Sequence, residues 1–414
     1  MERTTCLIAG GGPAGIMLGL LLARAGIAVT VLEKHADFLR DFRGDTVHAS
    51  TIELLDELGL GNAFRKLDQT RLQNFQLPLP DGSTILLGDF TTLKPPYDYV
   101  AMIPQWDFLN FLVAAAKREP SFTIRMNTEV MDLVTTDGTI TGVTYRERSG
   151  AEGTITADLV VACDGRGSIV RQKAGLVPHE FKVPFDTWWF RLPRPPSELG
   201  ATATLIPQFR GREIMLSLTR ETFYQVAYFA EKGADARLRS EGIERFRQRI
   251  AGLRPDFADR VDTLQSMDDI HMLDVRLNRL ETWHRPGLLC IGDAAHAMSP
   301  AGGVGINLAI QDAVAAAARL AEPLRSGKVT PEVLASVRQR RWRPTVIMQF
   351  AQRVLHRALF VPAFSGKRAG PPKIVLFAAR YIPGFTALPA RLIAFGPRPE
   401  HAPDFARRPQ SEAR

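Results

Sequence analysis

The segment GGGPAG holds the first residues whose types and spacing could do chemistry. Gly10, Gly12 and Gly15 have G-x-G-x-x-G spacing. In such a segment the first glycine allows a tight turn, the second lets the backbone approach a pyrophosphate, and the third lets a helix pack against a strand. Pro13 and Ala14 would open that helix, whose N-terminal N–H groups favour an anion. The segment therefore predicts a dinucleotide phosphate site.

Glu33 is the acidic residue that we expect to complete this site. It follows the apolar stretch AVTVL and precedes Lys34. A carboxylate at the end of the second strand can accept hydrogen bonds from both ribose hydroxyls of a nucleotide. This β-α-β unit alone does not distinguish NAD from FAD.

Two further carboxylates stand at the ends of apolar runs. Asp164 follows ADLVVAC, and Asp293 follows Gly292 at the end of GLLCIG. Open α/β sheets bind ligands beyond the carboxyl ends of their strands. Together with the glycine segment, these three edges indicate a long cofactor that lies across one sheet.

The segment PAGGVG, from Pro300 to Gly305, connects the Gly-Asp motif to an Ala-rich helix at Ile306 to Leu320. Its glycines permit a close approach of the backbone to a ligand. The positive end of the helix would stabilise negative charge on a reduced flavin ring. This segment therefore favours a flavin as the cofactor.

Hydrophobic patterns supply the elements that must position these motifs. Cys6–Ala9 and Ala28–Leu32 are expected to be buried strands on either side of a helix at Pro13–Ala25. From about Phe181 to Met267, β-branched and aromatic residues with proline clusters indicate a second domain inserted into the first. The pattern of strand, glycine loop and helix then returns at Gly287–Ala318.

Composition limits the classes of protein that this chain can belong to. It has 414 residues, 45% hydrophobic and 23% charged, so we expect a folded globular protein. The formal charge of +8 suits nucleic acid, an anionic membrane surface or an anionic cofactor. Nucleic acid binding is not expected, because basic and aromatic residues are not interleaved over a broad surface.

Three cysteines without C-x-x-C spacing argue against disulfides and a zinc site. We expect a cytoplasmic protein, because no segment is long enough to span a bilayer.

At these motifs the sequence resembles the group A flavoprotein monooxygenases, the para-hydroxybenzoate hydroxylase type. That family combines the N-terminal G-x-G-x-x-G, an Asp-Gly motif and a Gly-Asp motif in this order. The resemblance extends to FRGDTVHASTIELLDELGL (42–60) and IPQWDFLNFL (103–112). It implies an α/β fold: a Rossmann-like FAD-binding domain with an inserted, mainly antiparallel β substrate domain and a C-terminal helical extension.

The resemblance also implies where FAD would lie. The glycine segment would hold the pyrophosphate and Glu33 the adenosine ribose, while Arg43 would approach the flavin side and the phosphates. Asp293 would bind the ribityl or pyrophosphate region, and Asp164 would support both FAD and NAD(P)H. Gln105 stands where many relatives carry Arg. The implied cofactor contacts are Gly10, Gly12, Pro13, Ala14, Gly15, Glu33, Lys34, Arg43, Gln105, Asp164, Gly292, Asp293, Pro300, Gly303, Val304, Gly305 and Asn307.

By resemblance, the chemistry is reduction of FAD by NADPH or NADH, addition of O2 to give a flavin C4a-hydroperoxide, and hydroxylation of an aromatic or polycyclic small molecule. The cofactor carries the difficult steps, and no catalytic side chain is predicted. One alternative is an FAD-dependent oxidoreductase without oxygen insertion, a dehydrogenase or an isoprenoid reductase. Another is a non-catalytic FAD-binding protein. Halogenation is disfavoured, because TWWFRLP lacks the W-x-W-x-I-P spacing of flavin halogenases.

We predict three units along the chain. The FAD-binding domain comprises 1–73, 98–180 and 268–345, the substrate domain comprises 74–97 and 181–267, and the helical extension comprises 346–414. Trp188 and Trp189 are candidate substrate contacts, although aromatic residues of a sheet are also common in cores.

Several other residues have more than one reading. His296 is expected to brace the loop of the Gly-Asp motif, since no third metal ligand is spaced to join it. His35 and His48, near the predicted FAD edge, are expected to be structural. The extension could pack on the substrate domain, form a homodimer interface or lie on a membrane surface. Packing is the expected role, in a monomer or homodimer.

Overall fold

The structure, a computed structural model, describes residues 2–39, 46–78, 84–195, 197, 205–220, 222–367 and 372–410. The strands are β1 Glu2–Ala9, β2 Val29–Leu32, β3 Thr46–Val47, β4 Thr70–Leu72, β5 Asn74–Pro78, β6 Thr84–Asp89, β7 Val100–Met102, β8 Phe122–Arg125, β9 Thr128–Thr136, β10 Thr139–Glu147, β11 Glu152–Ala162, β12 His179–Glu180, β13 Phe185–Pro193, β14 Leu205–Arg210, β15 Glu213–Thr219, β16 Phe223–Glu231, β17 His271–Leu273, β18 Asn278–Arg279, β19 His284–Arg285 and β20 Leu288–Cys290. The helices are α1 Pro13–Arg24, α2 Ala49–Glu57, α3 Gly61–Phe64, α4 Gln105–Ala116, α5 Ile169–Lys173, α6 Asp235–Leu253, α7 Gly305–Arg325, α8 Pro331–Leu355, α9 Val361–Phe364, α10 Lys373–Tyr381 and α11 Ala387–Phe395.

The central sheet is the scaffold of the nucleotide motifs. Its order is β19-β20-β11-β1-β2-β8, and the pairs from β20 to β8 are parallel. The strands β2 and β20 are wholly buried, which is usual for parallel strands covered by helices on both faces. The strands β9 and β10 extend the sheet as an antiparallel hairpin from β11. The ends of β1, β11 and β20 therefore lie side by side.

Helix α1 begins and ends as the sequence predicts. Pro13 is its first residue, where a missing N–H costs nothing, and Gly26 follows it with φ +77°. Ten of its residues, from Ala14 to Ala23, are buried between the sheet and α7. A Cβ on Gly19 would lie 2.7 Å from the Phe122 ring, so this glycine lets the helix pack closely on the sheet.

A second sheet forms most of the inserted region. Its order is β14-β15-β16-β13-β17, with antiparallel pairing throughout. One face packs on α6 through a core that includes Trp188, Phe190 and Phe246. The other face carries apolar residues such as Leu216 and Phe229 toward the C-terminal helices. The expected fold class is confirmed.

The chain continues from α7 into α8 and then into shorter helices. The predicted domain boundary at 345/346 falls inside α8, which is continuous from Pro331 to Leu355 and runs into a π-helical turn at His356–Phe360. The domain bounds remain a prediction. Within the described ranges, no helix is both long and apolar enough to cross a membrane.

Candidate active site

A cavity of about 1960 Å³ runs from the carboxyl ends of β1, β2 and β11 to the inner face of the antiparallel sheet. Polar groups such as Glu33 and Asp164 line its first part. Trp189, Leu216 and Ile393 are among the apolar residues that line the second part. A single continuous space therefore connects the nucleotide motifs with the inserted sheet.

An added Cβ would meet different surroundings at each of the three glycines of the first motif. Gly10 has φ +104°, and a Cβ there would collide with the Cys163 carbonyl group. A Cβ on Gly15 would collide with the Gly10 carbonyl oxygen. At Gly12 the nearest atom to a Cβ would be 4.0 Å away. Gly10 and Gly15 are thus required by the fold, whereas Gly12, which lines the cavity at the start of α1, leaves room for a ligand.

The buried carboxylate of Glu33 is fixed beside this turn. One oxygen accepts a hydrogen bond from Gly11 N at 2.8 Å, and the other accepts one from His35 N at 3.0 Å. Each carboxylate oxygen has two acceptor positions, so these bonds orient the group without exhausting it. Glu33 and its neighbour Lys34 both line the cavity, in agreement with a contact to the ribose end of a nucleotide.

Asp164 has an orphaned polar atom at the cavity wall. Its Oδ2 accepts from Val170 N at 3.1 Å, but its buried Oδ1 has no hydrogen-bond partner among the described residues. Burial raises the pKa of this carboxyl group above its ordinary value. Because unsatisfied buried oxygens are unusual, this atom indicates that a polar ligand belongs beside it.

The glycine-rich loop before α7 forms another wall of the cavity through Pro300, Gly303 and Gly305. Gly303 has φ +64°, and its carbonyl oxygen accepts a hydrogen bond from Thr46 Oγ1 at 2.9 Å. Asp293 also lines the cavity. The start of α7 therefore faces the space where the resemblance places the flavin.

Four of the predicted cofactor contacts do not line the cavity themselves. Gly15 and Gly292 are packing positions, since a Cβ on Gly292 would lie 3.2 Å from that of Ala14. Val304 is in an apolar cluster. Asn307 instead holds the start of α2: its Oδ1 accepts from His48 N at 2.9 Å and from Thr51 Oγ1 at 2.8 Å. These residues support the cavity wall without lining the cavity.

Of the remaining predicted site residues, some line the cavity and others do not. Gln105, at the start of α4, lines the cavity, and so does Trp189. Trp188 is fully buried on the opposite face of β13, where its Nε1 donates to Asp235 Oδ1 at 2.8 Å. It packs under α6 because successive side chains of a strand point to opposite faces, so it is not a substrate contact. Arg43 lies outside the described residues.

A buried ionic cluster braces the Gly-Asp loop. Asp312 Oδ2 accepts from Gly292 N at 3.0 Å and lies 2.6 Å from His296 Nε2, while its Oδ1 accepts from Arg341 Nε at 3.0 Å. Burial favours the neutral acid, but His296 and Arg341 outweigh it and lower the pKa of Asp312. The bracing role expected for His296 agrees with this geometry. The sequence did not point to Asp312, because its partners are far away in the chain.

The three cysteines are buried. Burial raises the pKa of the Cys6 thiol to about 12 and also raises that of Cys163. Thiols that stay protonated are poor nucleophiles, and these side chains pack in the core as the sequence suggested.

The residues present fit FAD. A glycine turn with room at Gly12, the fixed Glu33 carboxylate, the orphaned Asp164 oxygen and the start of α7 follow one another around a single cavity. Helix N-termini and backbone N–H groups bind pyrophosphate, and a helix N-terminus favours a reduced flavin.

Comparison with known proteins gives the family. Residues 3–353 match the family described as FAD binding domain. The 6-methylpretetramide 4-monooxygenase of Streptomyces rimosus is 34% identical over 400 residues, which cover 95% of this chain and 93% of that protein. The para-nitrophenol 4-monooxygenase of Pseudomonas sp. (strain WBC-3) is 27% identical, with 78% of this chain and 79% of that protein covered.

A solved structure agrees at the level of the fold. The anhydrotetracycline hydroxylase from Streptomyces rimosus superposes with a TM-score of 0.72 at 23% sequence identity, covering 95% of this chain and 76% of that one. The chain therefore belongs to the FAD binding domain family, and it is an FAD-dependent aromatic monooxygenase of group A that takes its electrons from NAD(P)H.

Proposed function

We propose that this enzyme hydroxylates a phenol of several fused rings. Its 34%-identical relative is named for the 4-monooxygenation of 6-methylpretetramide. The observation that carries this proposal is the size and wall chemistry of the cavity. Pockets for one drug-sized ligand have about 300–1,000 Å³, whereas this cavity has about 1960 Å³. It accommodates an extended cofactor and a large substrate together.

The substrate part of the cavity suits flat apolar rings. Its walls include Trp189, Phe209 and Phe229 from the antiparallel sheet, and Phe360 and Ile393 from the C-terminal helices. Aromatic walls favour ring substrates through burial and offset stacking. The helical extension therefore contributes part of the wall of the substrate chamber.

Within this proposal, bound FAD supplies an electrophilic oxygen atom from O2 once NAD(P)H has reduced it. The chain itself binds the pyrophosphate at Gly12, the ribose at Glu33 and the flavin at the loop around Gly303. The apolar walls disfavour water beside the substrate, which limits unproductive release of hydrogen peroxide. The proposed FAD contacts of the described chain are Gly10, Gly12, Pro13, Ala14, Glu33, Lys34, Gln105, Asp164, Asp293, Pro300, Gly303 and Gly305.

The test is substrate-stimulated oxidation of NADPH or NADH in ¹⁸O2. We expect 6-methylpretetramide or anhydrotetracycline to stimulate oxidation and to gain one ¹⁸O atom per molecule, with para-nitrophenol at least about tenfold less effective. A product that lacks ¹⁸O would instead support a dehydrogenase or reductase. No stimulation by any ring compound would support a non-catalytic flavoprotein. Preference for the single-ring phenol would refute the fused-ring assignment.

The proposal also places the enzyme in the cytoplasm, as a monomer or homodimer. Cell fractionation checks the first point and light scattering the second. Co-sedimentation with anionic vesicles would contradict a purely cytoplasmic enzyme.

A further inference from the structure

His48 stands where the flavin loop meets the substrate chamber. It immediately precedes α2, is 1% exposed and lines the cavity. Two residues earlier, Thr46 donates to the Gly303 carbonyl oxygen. The His48 backbone N–H donates to Asn307 at the start of α7. The position of this imidazole is therefore tied to both the flavin loop and α7.

A hydrogen bond to the C-terminal helices fixes the tautomer of the ring. The Nδ1 atom lies 2.7 Å from the carbonyl oxygen of Ile393 in α11. A carbonyl oxygen can only accept, so Nδ1 carries the proton and Nε2 carries a lone pair. No described residue makes a hydrogen bond to Nε2. Burial lowers the pKa of His48 to about 4, which keeps the ring neutral near pH 7.

The surroundings of His48 on the chamber side are apolar. Its partner Ile393 packs in a cluster with Trp189, Leu216 and Leu218. Of the charged residues that line the cavity, Glu33 and Asp164 lie at the nucleotide end of the central sheet. Asp274 and Arg276 line the cavity beside β17 of the antiparallel sheet and form an ion pair with each other. A neutral imidazole with a free lone pair therefore lines the cavity where the flavin loop meets the apolar walls around Ile393.

We propose that His48 Nε2 accepts the phenolic proton of the substrate during hydroxylation. This inference rests on the proposed function. As a ring carbon ortho or para to the phenol attacks the electrophilic oxygen that bound FAD would supply, a ring π pair forms the new C–O bond. The bond that held this oxygen to the cofactor breaks, and its electron pair stays with the cofactor. The O–H pair of the phenol becomes the π bond of a C=O group, and the proton passes to Nε2. The attacked carbon then loses its proton to solvent, which restores the aromatic ring, and the imidazolium releases its proton to solvent when the product leaves the cavity.

A neutral imidazole can act in this step. The phenol itself is a poor acid, but its O–H becomes strongly acidic once the ring has donated electrons to oxygen. A neutral base therefore acts in the transition state and not on the free substrate, which is the condition for general base catalysis. The bond to Ile393 holds the ring in the required tautomer and stabilises the positive charge as it forms.

The test compares wild type with His48→Gln and His48→Asn on a tetracyclic phenol and on its O-methyl ether. Both variants replace the imidazole by an amide, which can donate a hydrogen bond but cannot take up a proton. We expect FAD content and substrate-stimulated NAD(P)H oxidation to stay within about twofold. Single-turnover hydroxylation of the phenol should fall about 100-fold, with hydrogen peroxide as the replacement product. The ether has no proton to give, so wild type and variants should hydroxylate it at equal, slow rates.

The matched control is His284→Gln, which changes a histidine on β19 that does not line the cavity and should leave every rate unchanged. If either His48 variant that retains FAD hydroxylates the phenol at the wild-type rate, His48 is not the base. An equal loss on phenol and ether would show a purely structural role and would also overturn the inference. If wild type itself forms no ¹⁸O-labelled product from any phenol, the proposed function fails instead.

Discussion

Gln352 and Ser299 form a reciprocal pair between α8 and the flavin loop. Ser299 N donates to Gln352 Oε1 at 3.1 Å, and Gln352 Nε2 donates to the Ser299 carbonyl oxygen at 2.8 Å. The same Nε2 donates to the Ala301 carbonyl oxygen at 2.8 Å. One amide thus satisfies three backbone groups of the loop that leads to Gly303. The helix that continues into the substrate chamber therefore also positions the cofactor loop.

Replacing Gln352 by Leu should loosen this loop. A buried backbone group left without a partner costs about 1–3 kcal/mol, so we expect a loss of stability of about 3 kcal/mol and weaker binding of FAD. Urea unfolding and flavin fluorescence titration measure the two effects. Gln172→Leu, at an exposed side chain, is the control and should change neither. Unchanged FAD affinity in Gln352→Leu would show that the loop is held by other contacts.

Alanine at Gly12 and at Gly15 should separate cofactor binding from folding. At Gly12 a Cβ has space in the protein, so the stability of the FAD-free chain should stay within about 0.5 kcal/mol. The methyl group would occupy the approach of the pyrophosphate and weaken FAD binding about tenfold or more, at least ~1.4 kcal/mol. At Gly15 the methyl group would meet the Gly10 carbonyl oxygen, and overpacking should destabilise the chain by about 1–3 kcal/mol. Equal effects of both changes on folding would contradict this division.

The adjacent residues Trp188 and Trp189 should respond differently to alanine. Trp188→Ala empties a core position under α6 and should cost about 3–5 kcal/mol in the free energy of unfolding. Trp189→Ala should leave the fold largely intact and raise the KM for the ring substrate about tenfold, ~1.4 kcal/mol. Denaturant unfolding and steady-state kinetics on both variants give the comparison. Trp188→Phe is a milder change that should keep the core folded. If KM rises less in Trp189→Ala than in Trp188→Phe, the substrate does not bind beside Trp189.

Asp312→Asn should destabilise the enzyme strongly. The change removes one negative partner of the buried Arg341 guanidinium and of His296. Breaking a buried ion pair costs about 3–5 kcal/mol. Because the pKa of Asp312 is lowered in the folded state, its contribution is complete above the unfolded pKa near 3.9 and is lost as the pH falls below it. Thermal unfolding at pH 7 measures the cost, and Asp404→Asn, at an exposed position, should show no comparable loss.

His356 should make folding stability depend on pH. Its Nε2 lies 3.0 Å from Ser299 Oγ, and burial lowers its pKa to about 4. An unfolded imidazole titrates near 6.5, so between about pH 6.5 and 4 the unfolded chain takes up a proton that the folded chain does not. Stability is therefore complete above pH 7 and falls on acidification, by on the order of 3 kcal/mol for a shift of this size.

Urea unfolding at pH 7.5 and 5 checks this expectation. His356→Gln should reduce the loss of stability between the two pH values, while substitution of the exposed His179 should not. An unchanged pH dependence in His356→Gln would mean that the imidazole is protonated in the folded state.

The sequence by itself determined the nucleotide half of this protein. Short-range spacing is enough to recognise the motifs of this part. They are the G-x-G-x-x-G turn, the apolar strands and the acidic residues Glu33, Asp164 and Asp293. Parallel strands bring their carboxyl ends to one edge in any fold of this type. Local pattern was therefore enough to place these residues around one cavity, and to identify Gly10 and Gly15 as positions that the fold requires.

Only the tertiary structure decided which side chains face the substrate. Strand alternation places Trp188 and Trp189 on opposite faces, but which face is the chamber depends on where α6 packs. The role of His48 depends on Ile393, and that of Gln352 on Ser299, each partner being brought close by long-range packing. A hydrogen bond is local in space and not in sequence, so no spacing pattern predicts such pairs. The proposed base can be recognised only from the tertiary structure, because α11 of the C-terminal helices supplies the partner of His48.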